Sequence, residues 1–111
     1  MIHEMKIWHD SFIKIKEHTK TIEMRLFDEK RSLILTGDTI MFTDTSNFER
    51  MECQVVNLYR YPSFEELYQL HNKASIGYSE DEVADPNDML AYYSIEMIER
   101  YGAVAIEVQV R

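Results

Sequence analysis

Thr21-Ile22-Glu23-Met24-Arg25-Leu26 is the stretch whose reading decides the fold. Its side chains alternate with period two, Ile22, Met24 and Leu26 on one face and Thr21, Glu23 and Arg25 on the other. A strand with one apolar and one polar face belongs to an antiparallel sheet, since parallel sheets covered on both sides use continuous apolar runs. Toward the N-terminus, residues 2–8 alternate weakly and predict a first strand. Asp10 or Ser11 caps a short helix over residues 12–17. Toward the C-terminus, residues 28–34 predict one or two helical turns closed by Thr36-Gly37-Asp38. Residues 39–43 then form a strand with Ile40 and Phe42 on one face, and residues 43–49 a loop.

Residues 51–61, rich in valine and tyrosine, predict a long strand that Pro62 ends. Ser63-Phe64-Glu65-Glu66 is a capping box opening a helix to about residue 71. Residues 72–84, with Gly77 and the run Glu80-Asp81-Glu82, read as a loop. Asp85-Pro86 opens a further helix, with Leu90, Tyr93, Met97 and Tyr101 as its apolar stripe and Arg100 and Gly102 at its end. Residues 103–110 close the chain as a strand with Val104, Ile106, Val108 and Val110 facing one way. Short helices among amphipathic strands, with little chain for crossovers, predict an α+β fold. The expectation is a small β-barrel of five or six mostly antiparallel strands flanked by short helices, one domain over residues 1–111.

Length and composition agree, with 111 residues, 45% hydrophobic and 29% charged. Three dispersed glycines exclude a Gly-rich phosphate loop, and one cysteine, Cys53, excludes a disulfide framework and a multi-cysteine zinc knuckle. Cys53 lies mid-strand and reads as a buried, inert thiol. His3, His9, His18 and His71 lack the helical spacing of a metal site, so neither metal nor cofactor is expected. No bilayer-spanning run and no signal peptide is present, and the expected setting is cytoplasmic, away from membranes.

Charge is uneven. The formal net charge is −8, of which residues 63–111 carry −7. Tight duplex binding wants a basic footprint that the whole molecule lacks. A local one exists, since Lys14, Lys16, Lys20, Arg25, Lys30 and Arg31 fall within eighteen residues, among four acids. On a strand, Glu23 and Arg25 project to the same side about 7 Å apart. Lys20, at the strand's entrance, joins them only if the turn before it re-aims its side chain. Such a carboxylate between two cations can accept from an amino group while the cations meet a carbonyl or phosphate. An ordinary surface ion pair is the competing reading. Trp8, Tyr59, Tyr61, Tyr78, Tyr92 and Tyr93 are candidates for stacking on a base. Tyr92 and Tyr93, about 100° apart on a helix, cannot both face a core, so they are candidates for a cleft rim together with Thr21.

His18-Thr19-Lys20-Thr21-Ile22-Glu23-Met24-Arg25 resembles the Gly-x-Lys-x-x-Glu-x-Arg signature of the ASCH (activating signal cointegrator homology) domain family. Asp28-Glu29-Lys30-Arg31, Gly37-Asp38, Ser63-Phe64-Glu65-Glu66-Leu67-Tyr68 and Tyr101-Gly102-Ala103-Val104-Ala105-Ile106 are similar to the same family, so the likeness spans nearly the whole chain. His18 stands where the pattern has glycine. The resemblance implies a PUA-like barrel with a cleft lined by Lys20, Glu23 and Arg25 that meets RNA or a nucleotide. A bacterial subgroup of the family hydrolyses N4-acylated cytidines. It has a lysine matching Lys20, a threonine where Glu23 stands here, and a glutamate from the loop before the last helix, the region of Glu80 and Glu82. The alternative reading is therefore an amidohydrolase with Lys20 and Glu82 as catalytic residues. A third is a protein-interaction module docking a basic partner on the acidic C-terminal half.

Overall fold

In the computed structural model, which describes residues 1–111, the strands are β1 (Ile2–Ile7), β2 (Ile22–Leu26), β3 (Thr39–Asp44), β4 (Arg50–Tyr61) and β5 (Ala103–Val110). The helices are α1 (His9–Lys16), α2 (Phe64–Leu70) and α3 (Ile95–Tyr101), with 3-10 turns at Arg31–Leu33 and Pro86–Ala91. The strands make one five-stranded sheet in the order β1-β3-β4-β5-β2. Neighbours are antiparallel except β1 and β3, which run parallel from Ile2 opposite Thr39 to Ile7 opposite Asp44. Parallel neighbours need a long crossover, and residues 8–38, carrying α1 and β2, supply it.

The sheet curls into an open half-barrel, consistent with the small barrel expected but not closed on itself. A register shift between Val55 and Asn57 bends β4, but β1 and β2 remain unpaired edges facing an open seam. On one face, Phe12 and Ile15 of α1 pack on Ile40, Phe42, Val55, Val104 and Ile106. On the other, Phe64 and Leu67 of α2 and Met89 cover Ile22, Leu26, Ala103 and Ala105. β5 is thus covered on both faces, with the small residues Ala103 and Ala105 under α2. Its large residues fill the deeper core.

Two histidine–aspartate bonds fasten the parallel pair. His3 Nε2 lies 2.9 Å from Asp38 at one end, and His9 Nδ1 lies 2.6 Å from Asp44 at the other. Asp44 is fully buried, and Ser46 N–H and Oγ–H donate to its second oxygen. Burial pushes the Asp44 carboxyl up, but His9 and Ser46 outweigh it and hold it below its ordinary range. With His9 engaged this way, α1 starts at His9, earlier than expected. Trp8 is the N-cap, without a side-chain cap bond, and Asp10 sits in the first turn.

The helix expected from Asp85 to Arg100 is two pieces. Ser94 is extended and accepts from Met97 N–H at 3.2 Å, capping α3 afresh. The expected stripe is therefore split, with Leu90 and Met97 both 45% exposed while Met89 is buried. At the other helix end, His18 takes φ 69 after α1. That left-handed conformation costs a non-glycine residue about 1–2 kcal/mol, and it is the position where the family signature carries glycine. No helix is long and apolar enough to cross a membrane.

Candidate functional site

Glu23 lies opposite Ile106 and Arg25 opposite Val104 on β5, so both side chains point to the apolar face that carries the main core. Charges there need partners. Arg25 Nε and Nη2 donate to Glu23 Oε2 at 2.9 and 2.7 Å. The turn through His18 delivers Lys20, whose Nζ lies 2.8 Å from Glu23 Oε1 and donates to Ser11 Oγ at 3.1 Å. Lys20 and Glu23 are each 6% exposed. Burial alone would raise the Glu23 carboxyl, but the ammonium and guanidinium beside it hold it down at about 2.

Arg25 does more than pair. Its Nη2 also donates to the Lys6 carbonyl at 2.8 Å, bridging the gap between edge strands β2 and β1. The donor inventory then leaves Arg25 Nη1 and one Lys20 N–H with no partner in the protein. Above them opens a cavity of about 570 Å³ along the seam. Its lining includes Lys6, Trp8, Asp10, Ser11 and Lys14 from β1, α1 and the junction between them, and Met89, Tyr92 and Tyr93 from the 3-10 turn at Pro86–Ala91 and the residues after it. The lining holds Lys6, Lys14, Lys20 and Arg25 against Asp10, Glu23, Glu82 and Asp88, so the cleft itself is charge-balanced within a strongly acidic molecule.

The loop after α2 roofs this cavity. Lys14 Nζ donates to the Gly77 carbonyl at 2.8 Å, and Lys73 Nζ donates to the carbonyls of Glu80 and Glu82. Gly77 has φ +114, and a Cβ there would come within 3.2 Å of Lys20 Cδ. Glycine lets the roof sit directly on the lysine.

The structure brings Lys20, Glu23, Arg25, Tyr92 and Tyr93 together, both tyrosines lining the cavity because the helix breaks at that point. Thr21 does not line it. It precedes β2, with its N–H on the Ser75 carbonyl and its carbonyl on Val108 N–H. Glu82 reaches only the rim, accepting from Ser79 N–H at 2.6 Å and lying 3.9 Å from Lys14, and Glu80 is absent from the lining. Sequence reasoning missed Ser11 as a contact of Lys20 and Asp88 as the acceptor of Tyr78 Oη–H at 2.7 Å. Trp8 and Tyr92 meet edge to face at 5.3 Å, and Tyr78 also lines the cavity. Tyr59 and Tyr61 instead bond Glu107 and His71 elsewhere. No three His, Cys, Asp or Glu side chains are grouped to hold a metal ion, and burial pushes the Cys53 thiol up to about 11.

A family model described as the ASCH domain matches residues 5–110. The crystal structure of hypothetical protein PH0355 is similar over 100% of both chains, at 29% identity and a TM-score of 0.85. The solution NMR structure of protein PF0455 from Pyrococcus furiosus is also 29% identical. It is similar at a TM-score of 0.75 over 99% of this chain and 97% of that one. No curated protein matches the chain.

Proposed function

The chain belongs to the ASCH domain family, and on that premise we propose that residues 1–111 form one domain that binds single-stranded RNA or a nucleotide in the seam cleft. The observation that carries the reading is the buried Lys20–Glu23–Arg25 cluster, whose open N–H groups face a cavity with aromatic walls. Glu23 fixes the two cations, and Arg25 Nη1 and Lys20 Nζ meet a carbonyl or phosphate oxygen of the ligand. Trp8 and Tyr92 offer faces for a base.

Trp8 is the single tryptophan, so its fluorescence reports on the cleft directly. Titrating short single-stranded RNAs and mononucleotides at low salt, Arg25→Ala is expected to weaken binding by at least about 30-fold. Arg50→Ala, whose exposed side chain pairs with Glu4 away from the cleft, should leave it unchanged. Equal loss from both variants contradicts the site.

A hydrolytic reading, an amidohydrolase acting on N4-acylated cytidine or a related nucleoside, has one observation in its favour. Ser11 Oγ, 3.1 Å from Lys20 Nζ, supplies a hydroxyl beside the lysine although position 23 is glutamate. Lys20 is nevertheless held as a donor to Glu23, and Glu82 stands beside Lys14. The binding reading expects no conversion of N4-acylated cytidines by mass spectrometry. Turnover abolished by both Lys20→Ala and Ser11→Ala would replace it with the hydrolase.

A further inference from the structure

The free edge of β2 runs through the cleft, and what it presents follows from register. The Thr21 carbonyl accepts from Val108 N–H at 2.8 Å, and Phe27 N–H donates to the Gly102 carbonyl at 3.0 Å. Bonded and non-bonded positions alternate in an antiparallel pair, so Glu23 and Arg25 bond β5. Ile22, Met24 and Leu26 then turn their N–H and C=O groups to the opposite edge. Ile22 does so visibly, donating to the Ser75 carbonyl at 2.9 Å. Half-buried Met24, opposite Ala105, lines the cavity, and its N–H and C=O have no partner in the protein. Main-chain groups in such places are nearly always paired.

We infer that the Met24 main chain determines specificity in the cleft. Its N–H and C=O together grip a planar ring that carries a hydrogen-bond donor directly beside an acceptor, as the base-pairing edge of a nucleobase does. The inference rests on the binding reading above and deepens it. The free edge is one residue long, because Ile22 N–H is already taken by Ser75 and Leu26 is buried outside the cavity with its main chain against the Tyr93 hydroxyl. An extended peptide, which needs every second residue of a strand, therefore finds no continuous edge here. The cavity of about 570 Å³ is of the size that holds one small ligand. Trp8 and Tyr92 offer aromatic surface to the ring, while Arg25 Nη1 meets a further acceptor outside the gripped edge. A base held in this way uses the edge that a duplex hides, so only an unpaired base enters.

The test compares uridine, guanosine, cytidine and adenosine with 3-methyluridine, 1-methylguanosine, N4,N4-dimethylcytidine and N6,N6-dimethyladenosine. Calorimetry measures affinity, and 15N-methionine labelling follows the Met24 amide by NMR. The tightest parent nucleoside should lose at least about 30-fold on methylation of its edge, and should shift the Met24 cross-peak. Met24→Pro removes the N–H from a position the β2–β5 ladder does not use, and should weaken the parent nucleoside but not its methylated form. Equal binding of parent and edge-methylated forms, with Arg25→Ala still weakening both, overturns the inference and leaves the cleft reading intact. Binding of short RNA without any of the four nucleosides does the same. No binding of nucleosides, nucleotides or RNA to the intact protein overturns both.

Discussion

Glu23→Ala is expected to destabilise the protein by about 3–5 kcal/mol, because it leaves Lys20 and Arg25 on an apolar face without their shared counter-ion. That is a large part of the 5–15 kcal/mol a domain typically commands. Replacing all three charges by apolar residues of similar size, as in Lys20→Met with Glu23→Leu and Arg25→Met, should restore stability to within about 1 kcal/mol of the parent. Ligand binding should stay lost. Urea titrations of the single and triple variants check the contrast. If Glu23→Ala costs under about 1 kcal/mol, the cluster is an ordinary surface ion pair.

Acid titration reads the same residue. The Glu23 carboxyl falls from an ordinary 4.5 to about 2 on folding, corresponding to about 3 kcal/mol. A carboxyl lowered in the folded state contributes stability above its unfolded value and loses it as pH falls through the folded one. Stability should therefore drop between pH 4.5 and 2. Asp38, lowered to about 2 first by its bond to His3, pulls in the same direction. In Glu23→Gln the drop should be shallower.

Gly102→Ala is expected to cost about 3 kcal/mol or more, lowering the melting temperature by roughly 15 °C. Gly102 sits at φ 72 and ψ −174, a region essentially restricted to glycine. A Cβ there would also lie 2.7 Å from the Tyr61 carbonyl oxygen, a main-chain atom that cannot step aside. Gly37→Ala is the control. At φ 93 it meets the backbone strain but has nothing within 4 Å, so only about 1–2 kcal/mol should be lost. Equal losses from the two would remove the close packing of the α3–β5 turn on Tyr61 from the account.

How much of this was legible in the sequence differs from element to element. The alternation in residues 21–26 was enough to place Glu23 and Arg25 on one side, because period two is a local property of an extended chain. Lys20 joining them was not legible in the spacing and came only from the family resemblance, since it depends on His18 taking a conformation that glycine, not histidine, signals. Spacing alone read Leu90, Tyr93, Met97 and Tyr101 as one helix. The Ser94 cap, a short-range signal, was outweighed by a periodicity that happened to continue across it. Closure of the barrel was beyond local reading altogether. It turns on β1 running parallel to β3 at the far edge, a pairing of residues some 37 apart in the chain. Ser11 and Asp88 met their partners Lys20 and Tyr78 at separations of nine and ten residues that cross irregular turns, which no periodic pattern signals.

The central claim is that ligand enters the seam between β1 and β2 and meets the Lys20–Glu23–Arg25 cluster. Backbone amide NMR of the intact chain during titration with a short single-stranded RNA tests it most directly. Shifts should concentrate at Trp8, Ser11, Lys20, Met24, Arg25 and Tyr92, which line the cavity. Shifts confined to the acidic surface of α2 and α3, with those six amides unmoved, would contradict it.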